Sequence, residues 1–125
     1  MRSACVITNQ YKDPELCIAR ELVALLKQMG MQVCSIEATA QALQVPDMQA
    51  HPFDVDVAFV LGGDGTILST APMLAADNIP VLGLNLGNMG FLSEVSITDM
   101  QKAVKQVMAH AFSIERRMMV QAQID

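Results

Sequence analysis

Residues 55–63, VDVAFVLGG, constrain the fold more than any other stretch of the chain. A strand with one wet face alternates apolar and polar residues. A near-continuous apolar run is instead the mark of a strand buried on both faces, as in a parallel sheet covered by helices. Parallel neighbours need long crossover connections, usually helical. The segment before this run supplies one. SACVIT (3–8) is short, apolar and β-branched toward its end, as a buried strand is. Asn9 to Pro14 is polar, a loop with a helix start. From Glu15 the apolar positions include Ile18, Leu22, Leu25, Leu26 and Met29, at helical spacing, and Gly30 stands where a C-terminal cap glycine belongs. MQVCSIE (31–37) then alternates like a strand, completing a βαβ unit.

Further on, ATAQALQ predicts a short helix, with Pro46 and Pro52 punctuating the stretch after it. A helix carried by Ile67, Leu68, Ala71, Leu74 and Ala75 should follow the apolar run. Pro72 leaves two registers open. A helix from Thr66 puts Pro72 in its interior, where it kinks the chain; a cap at Thr70 or Ala71 puts it in the tolerated first turn. IPVLGLNLG (79–87) predicts the next strand, and Ser96 with Asp99 a capping box for a helix through Met108. The expected fold class is α/β, a Rossmann-like parallel sheet sandwiched by helices.

The last stretch, FSIERRMMVQAQID (112–125), differs. Val120, Ala122 and Ile124 alternate with polar residues, as in a half-buried antiparallel strand, and no partner strand follows. The expected division is an α/β domain over 1–112 and the start of a separate, β-rich domain over 113–125.

Composition narrows the function. The 125 residues suit one ordinary domain, and 52% hydrophobic residues with 4% aromatics and ten Met imply an aliphatic, methionine-rich core. A net charge of −5 disfavours nucleic-acid and anionic-membrane binding, which need a basic face. Cys5, Cys17 and Cys34 are odd in number and lack CxxC spacing, so reduced, buried thiols are expected. No signal-peptide pattern and no bilayer-length apolar run occurs, so a cytoplasmic location is expected. His51 and His110 are expected to be structural or solvated.

Two glycine loops carry the chemistry. The first, GGDGT (62–66), follows the apolar strand. Gly62, Gly63 and Gly65 let a phosphate or ribose approach the backbone, and N–H groups at a strand-to-helix turn attract anions. Thr66 and Ser69 add hydroxyl donors. Asp64 would repel a phosphate merely beside it, but it suits a group that accepts a proton from a substrate hydroxyl or meets a phosphate-bound metal. The plainer reading is a tight turn with Asp64 as a helix cap. The Walker A, GxGxxG and GxSxG patterns are absent. The second loop, GLNLGNMGFLSE (83–94), follows the next strand, so both loops fall on one sheet edge and can wall one crevice. Asn85 and Asn88 are candidates to bond a ribose or phosphate. Phe91 is a candidate to stack on a base, or a core residue.

GGDGT followed about twenty residues later by GxNxGxxGFL resembles the NAD kinase family, and ERRMM (115–119) resembles its link into a second domain. The resemblance covers essentially the whole chain. It implies phosphorylation of the 2′-hydroxyl of the adenosine ribose of NAD, with ATP or polyphosphate as donor and a divalent metal, Mg²⁺. It implies Asp64 as general base, Gly65 as an NAD contact, Gly62, Gly63 and Thr66 as the phosphate-side turn, and Asn88 and Phe91 in the adenosine pocket. Asn85 matches the first asparagine of the second motif. No protein metal ligand is assigned. The expected partners are NAD and the phosphoryl donor, in a homo-oligomeric full-length protein. Two features depart from the family: no basic residue follows GGDGT in the helix, and the family's C-terminal β-domain is not present. The 125-residue chain alone is therefore expected to be inactive. The alternatives are a lipid kinase of the diacylglycerol or sphingosine type, which shares GGDGT, a more distant phosphofructokinase-like sugar kinase, and a non-catalytic assembly module.

Overall fold

A computed structural model of the protein describes residues 3–9, 13–48, 55–75, 79–86, 95–96 and 99–109. The apolar runs become strands of one parallel sheet: β1 (Ser3–Thr8), β2 (Gln32–Cys34), β3 (Val57–Gly62), β4 (Val81–Asn85) and β5 (Val95–Ser96), in the order β2-β1-β3-β4-β5. The run at 55–63 supplies the central strand, and every residue of β3 is buried. Alternation along each strand serves two cores. Ala4, Val6, Val57, Phe59 and Leu61 meet one set of helices, while Cys5, Ile7, Ala58 and Val60 face the other side. The helices are α1 (Cys17–Gln28), α2 (Glu37–Leu43), α3 (Asp64–Ala75) and α4 (Met100–Met108). Buried residues of α1, α2 and α4 join the first core, and Leu74 of α3 the second. Helices therefore cover both faces, as the unbroken apolar runs require.

The ends of α1 show how local sequence sets the layout. At its C-terminus, Gly30 takes a φ of 81°. Its N–H donates to the Lys27 carbonyl at 3.0 Å, and the Met31 N–H to that of Leu26 at 3.1 Å. That paired pattern is a Schellman cap, and glycine fits it without strain. At the N-terminus a short 3₁₀ turn (Pro14–Leu16) precedes the helix, with Glu15 and Leu16 at φ of 59° and 57°.

Three expectations are corrected. Helix α3 begins at Asp64, before either of the two starts, while Pro72 lies inside it as the earlier of the two registers has it. Ser96 is not a capping residue: it belongs to β5, paired with Asn85, and Asp99 at the start of α4 makes no side-chain cap bond. Cys17 is exposed, whereas Cys5 and Cys34 are buried. All three cysteines are free. Cys5 and Cys34 sit side by side on β1 and β2. A hydrogen bond to the Cys34 sulfur, helped by burial, pushes the Cys5 thiol far above its ordinary range. Residues 110–125, with His110, the ERRMM stretch and the strand expected near the chain's end, lie outside the described residues, as does His51.

Candidate active site

Strand order places the crevice. The chain steps from β1 outward to β2, then crosses back to β3 on the other side of β1. Beyond the carboxyl ends of β1 and β3 the crossovers diverge, and such a switch point is where open α/β sheets bind ligands. Thr8 and Asn9 end β1 there; Gly62 and Gly63 end β3. The β3 end is held from both sides: the Asn9 N–H donates to the Leu61 carbonyl and the Leu86 N–H to the Gly62 carbonyl, each at 2.9 Å. Gly62 stands in register with Asn85 of β4. The first loop and the start of the second thus share one edge, as expected. Asn85 is buried.

Two helices begin at this switch point, and they begin differently. The Asp13 carboxylate, 2% exposed, reaches forward to the head of α1. It accepts the Ile18 and Ala19 N–H groups, both at 2.9 Å, and the Thr8 hydroxyl at 3.3 Å. The positive end of α1 is therefore occupied by the protein's own anion. At α3 the first helical hydrogen bond runs from the Ile67 N–H to the Gly63 carbonyl, at 3.2 Å. Gly63 thus stands in the N-cap place and has no side chain to cap with. Asp64, Gly65 and Thr66 form the first turn, where N–H groups have no intrahelical acceptor. Asp64 is the first helical residue, so the N-cap role allowed for it falls to Gly63.

Gly62 is dictated by Thr66. A Cβ built on Gly62 would lie 2.8 Å from Thr66 Cβ, 3.3 Å from its Cγ2 and closer still to its Oγ1. Any larger residue would displace the Thr66 side chain. Gly65 differs: a Cβ there meets nothing within 4 Å, and the residue is exposed. Thr66 is half-buried, and its Oγ1 lies 3.5 Å from the Asn9 amide nitrogen. Ser69 does not serve the edge as a donor, because its hydroxyl bonds to the Thr66 carbonyl at 3.0 Å. The Thr70 hydroxyl also turns back, to the Thr66 and Ile67 carbonyls.

The structure thus brings Gly62, Gly63, Asp64, Gly65, Thr66 and Asn85 to one sheet edge. Asn88 and Phe91 lie outside the described residues. Asn9 and Asp13 were not candidates from the sequence, since only the strand order shows that the polar loop at 9–14 faces GGDGT. Among the described residues no group of three or more His, Cys, Asp or Glu is placed to hold a metal ion. No helix among the described residues is long and apolar enough to cross a membrane.

Fold and edge together define a Rossmann-like α/β domain that presents a glycine-headed helix at its switch point. The model of the ATP-NAD kinase N-terminal domain matches residues 5–112, and the chain belongs to that family. It is 38% identical to the NAD kinase of Lachnoclostridium phytofermentans, over 99% of this chain and 44% of that protein. It is 35% identical to the NAD kinase of Heliobacterium modesticaldum, over 99% of this chain and 45% of that protein. A crystal structure of yeast NADH kinase complexed with NADH shares the fold, with a TM-score of 0.73 at 21% identity, covering 87% of this chain and 38% of that one. The chain spans less than half the length of the curated relatives it matches.

Proposed function

We propose that this chain is the N-terminal domain of an NAD kinase, which transfers a phosphoryl group from ATP or polyphosphate to the 2′-hydroxyl of the adenosine ribose of NAD. One observation carries the reading: in a member of this family, GGDGT heads α3 at the switch point with Gly63 at the cap and Asp64 as the first helical residue. Phosphoryl transfer asks the protein mainly for positioning and charge stabilisation. The first-turn N–H groups of α3 and the Thr66 hydroxyl face the phosphates. The Asp64 carboxylate takes the 2′-hydroxyl proton as the oxygen attacks the terminal phosphorus, whose bond to the bridging oxygen breaks so that ADP, or polyphosphate one unit shorter, departs. A divalent ion such as Mg²⁺, when carried on the donor phosphates, would supply charge neutralisation there. Asn85, Asn88 and Phe91 line the acceptor side. Residues 113–125 lead into the β-rich domain that closes the crevice, in a cytoplasmic homo-oligomer. Lipid-kinase and assembly-module readings are not favoured, since the matching relatives are NAD kinases.

The test is NADP formation by the intact protein carrying this chain, with NAD and either ATP or polyphosphate. Asp64→Asn is expected to lower kcat by about 10²–10⁴-fold, the range for loss of a general base, without lowering the melting temperature. Full activity in that variant refutes the base assignment.

A further inference from the structure

We propose that Asn9 is a positioning residue of the same site: its side-chain amide holds the Thr66 hydroxyl as a hydrogen-bond donor aimed at the transferred phosphoryl group. The proposal rests on the kinase reading above. Asn9 stands where β1 leaves the sheet, and its backbone is held on both sides. Its N–H donates to the Leu61 carbonyl at 2.9 Å, and its carbonyl accepts the Asp13 N–H at 3.0 Å. The side-chain amide comes within 3.5 Å of Thr66 Oγ1, across a sequence separation of 57 residues. An amide N–H can only donate, so the Thr66 oxygen accepts and its proton turns elsewhere.

Two further contacts narrow where that proton goes. The Thr66 side chain leans into the space left by the missing side chain of Gly62, which restricts its rotamer. The carbonyl one turn back, where a helical threonine commonly donates, is that of Gly62, and the Leu86 N–H at 2.9 Å takes one of its two lone pairs. The other direction open to the proton is the crevice, where the first turn of α3 presents its N–H groups. Asn9 thus decides whether Thr66 offers a proton or a lone pair to an incoming phosphate. A phosphate oxygen is an acceptor, so only the first orientation helps.

The experiment is a double-mutant cycle in the intact protein, using Asn9→Ala and Thr66→Val, with NADP formation and thermal melting as readouts. Each single variant is expected to lower kcat about tenfold, with KM for NAD changed less than about twofold, as for loss of one ordinary hydrogen bond. On the Thr66→Val background, Asn9→Ala is expected to cost no more than about twofold further, because both changes remove the same interaction. Asn9→Asp is near-isosteric and keeps the backbone bonds. Its carboxylate draws the Thr66 proton away from the crevice, so it should lose at least as much activity as Asn9→Ala while melting like the parent. It decides the matter if Asn9→Ala folds poorly. Losses that multiply in the double variant, or full activity in Asn9→Asp, overturn the positioning role. An intact parent protein that makes no NADP overturns the kinase reading, and this proposal with it.

Discussion

The turns β1–α1 and β3–α3 leave the same sheet edge, side by side, and head their helices in opposite ways. The first is closed. Asp13, buried, spends its carboxylate on two N–H groups of α1 and on the Thr8 hydroxyl. Between Asp13 and these partners, Glu15 and Leu16 stand in the left-handed region, where non-glycine residues carry strain. The second is open. Gly63 fills the cap place with no side chain, and the exposed Gly65 follows one residue into the helix. A protein seeking stability alone would cap both helices. Among the described residues no side chain caps α3, while α1 beside it is capped by a buried acid, and that is the arrangement expected when the uncapped end serves an outside anion.

The largest effect should come from breaking the closed turn. Asp13→Ala removes three accepted hydrogen bonds at once and leaves buried donors unsatisfied. It is expected to cost about 2–4 kcal/mol, read as a lowered urea midpoint. Asp13→Asn, which keeps one acceptor oxygen, should cost less. A midpoint for Asp13→Ala within error of the parent would mean that the α1 cap holds little. Next comes the packing under the open turn. Gly62→Ala forces a methyl into Thr66 and is expected to cost about 1–3 kcal/mol. Adding Thr66→Ala removes the closest clashing atom and should recover part of the loss. No recovery in the double variant would place the cost elsewhere than in this contact.

Much of this contrast is invisible in the sequence, for identifiable reasons. The sheet was legible because burial on both faces writes unbroken apolar runs, and β1, β3 and β4 all follow them. Gly30 was legible because its cap depends on residues within one turn. The first glycine loop and the start of the second were legible as neighbours because they follow adjacent parallel strands and so fall on one edge. The start of α3 was not. Two glycines and an aspartate look like a turn, whereas here glycine is the cap and the helix begins at once. Pro72 was allowed inside such a helix, and the carbonyl that it leaves without a helical donor belongs to Leu68, which is 60% exposed and open to water. Ser96 misled because a two-residue strand has no periodicity to set against a capping-box pattern. Asn9 and Asp13 escaped notice because their partners are fixed by the strand order and by a through-space turn, neither of which has a local signature.

The smallest effect on stability is the sharpest test of the comparison. Gly65 sits in the first turn of α3 with ordinary negative φ, and a methyl added there meets nothing within 4 Å. Alanine loses less backbone entropy than glycine on entering a helix, so Gly65→Ala should raise stability by about 0.5–1 kcal/mol. If the open turn existed only to fold, that gain would come free. If it exists to let a ribose or phosphate touch the backbone, the methyl stands in the substrate's way. NADP formation by the intact protein should then fall at least about tenfold, through a raised KM where the methyl only obstructs binding and a lowered kcat where it misplaces the reacting groups. A variant more stable and equally active would show that this glycine is not kept for substrate approach. A variant more stable and less active would show that the open helix end is retained at the expense of stability, which is how a binding edge differs from the capped turn beside it.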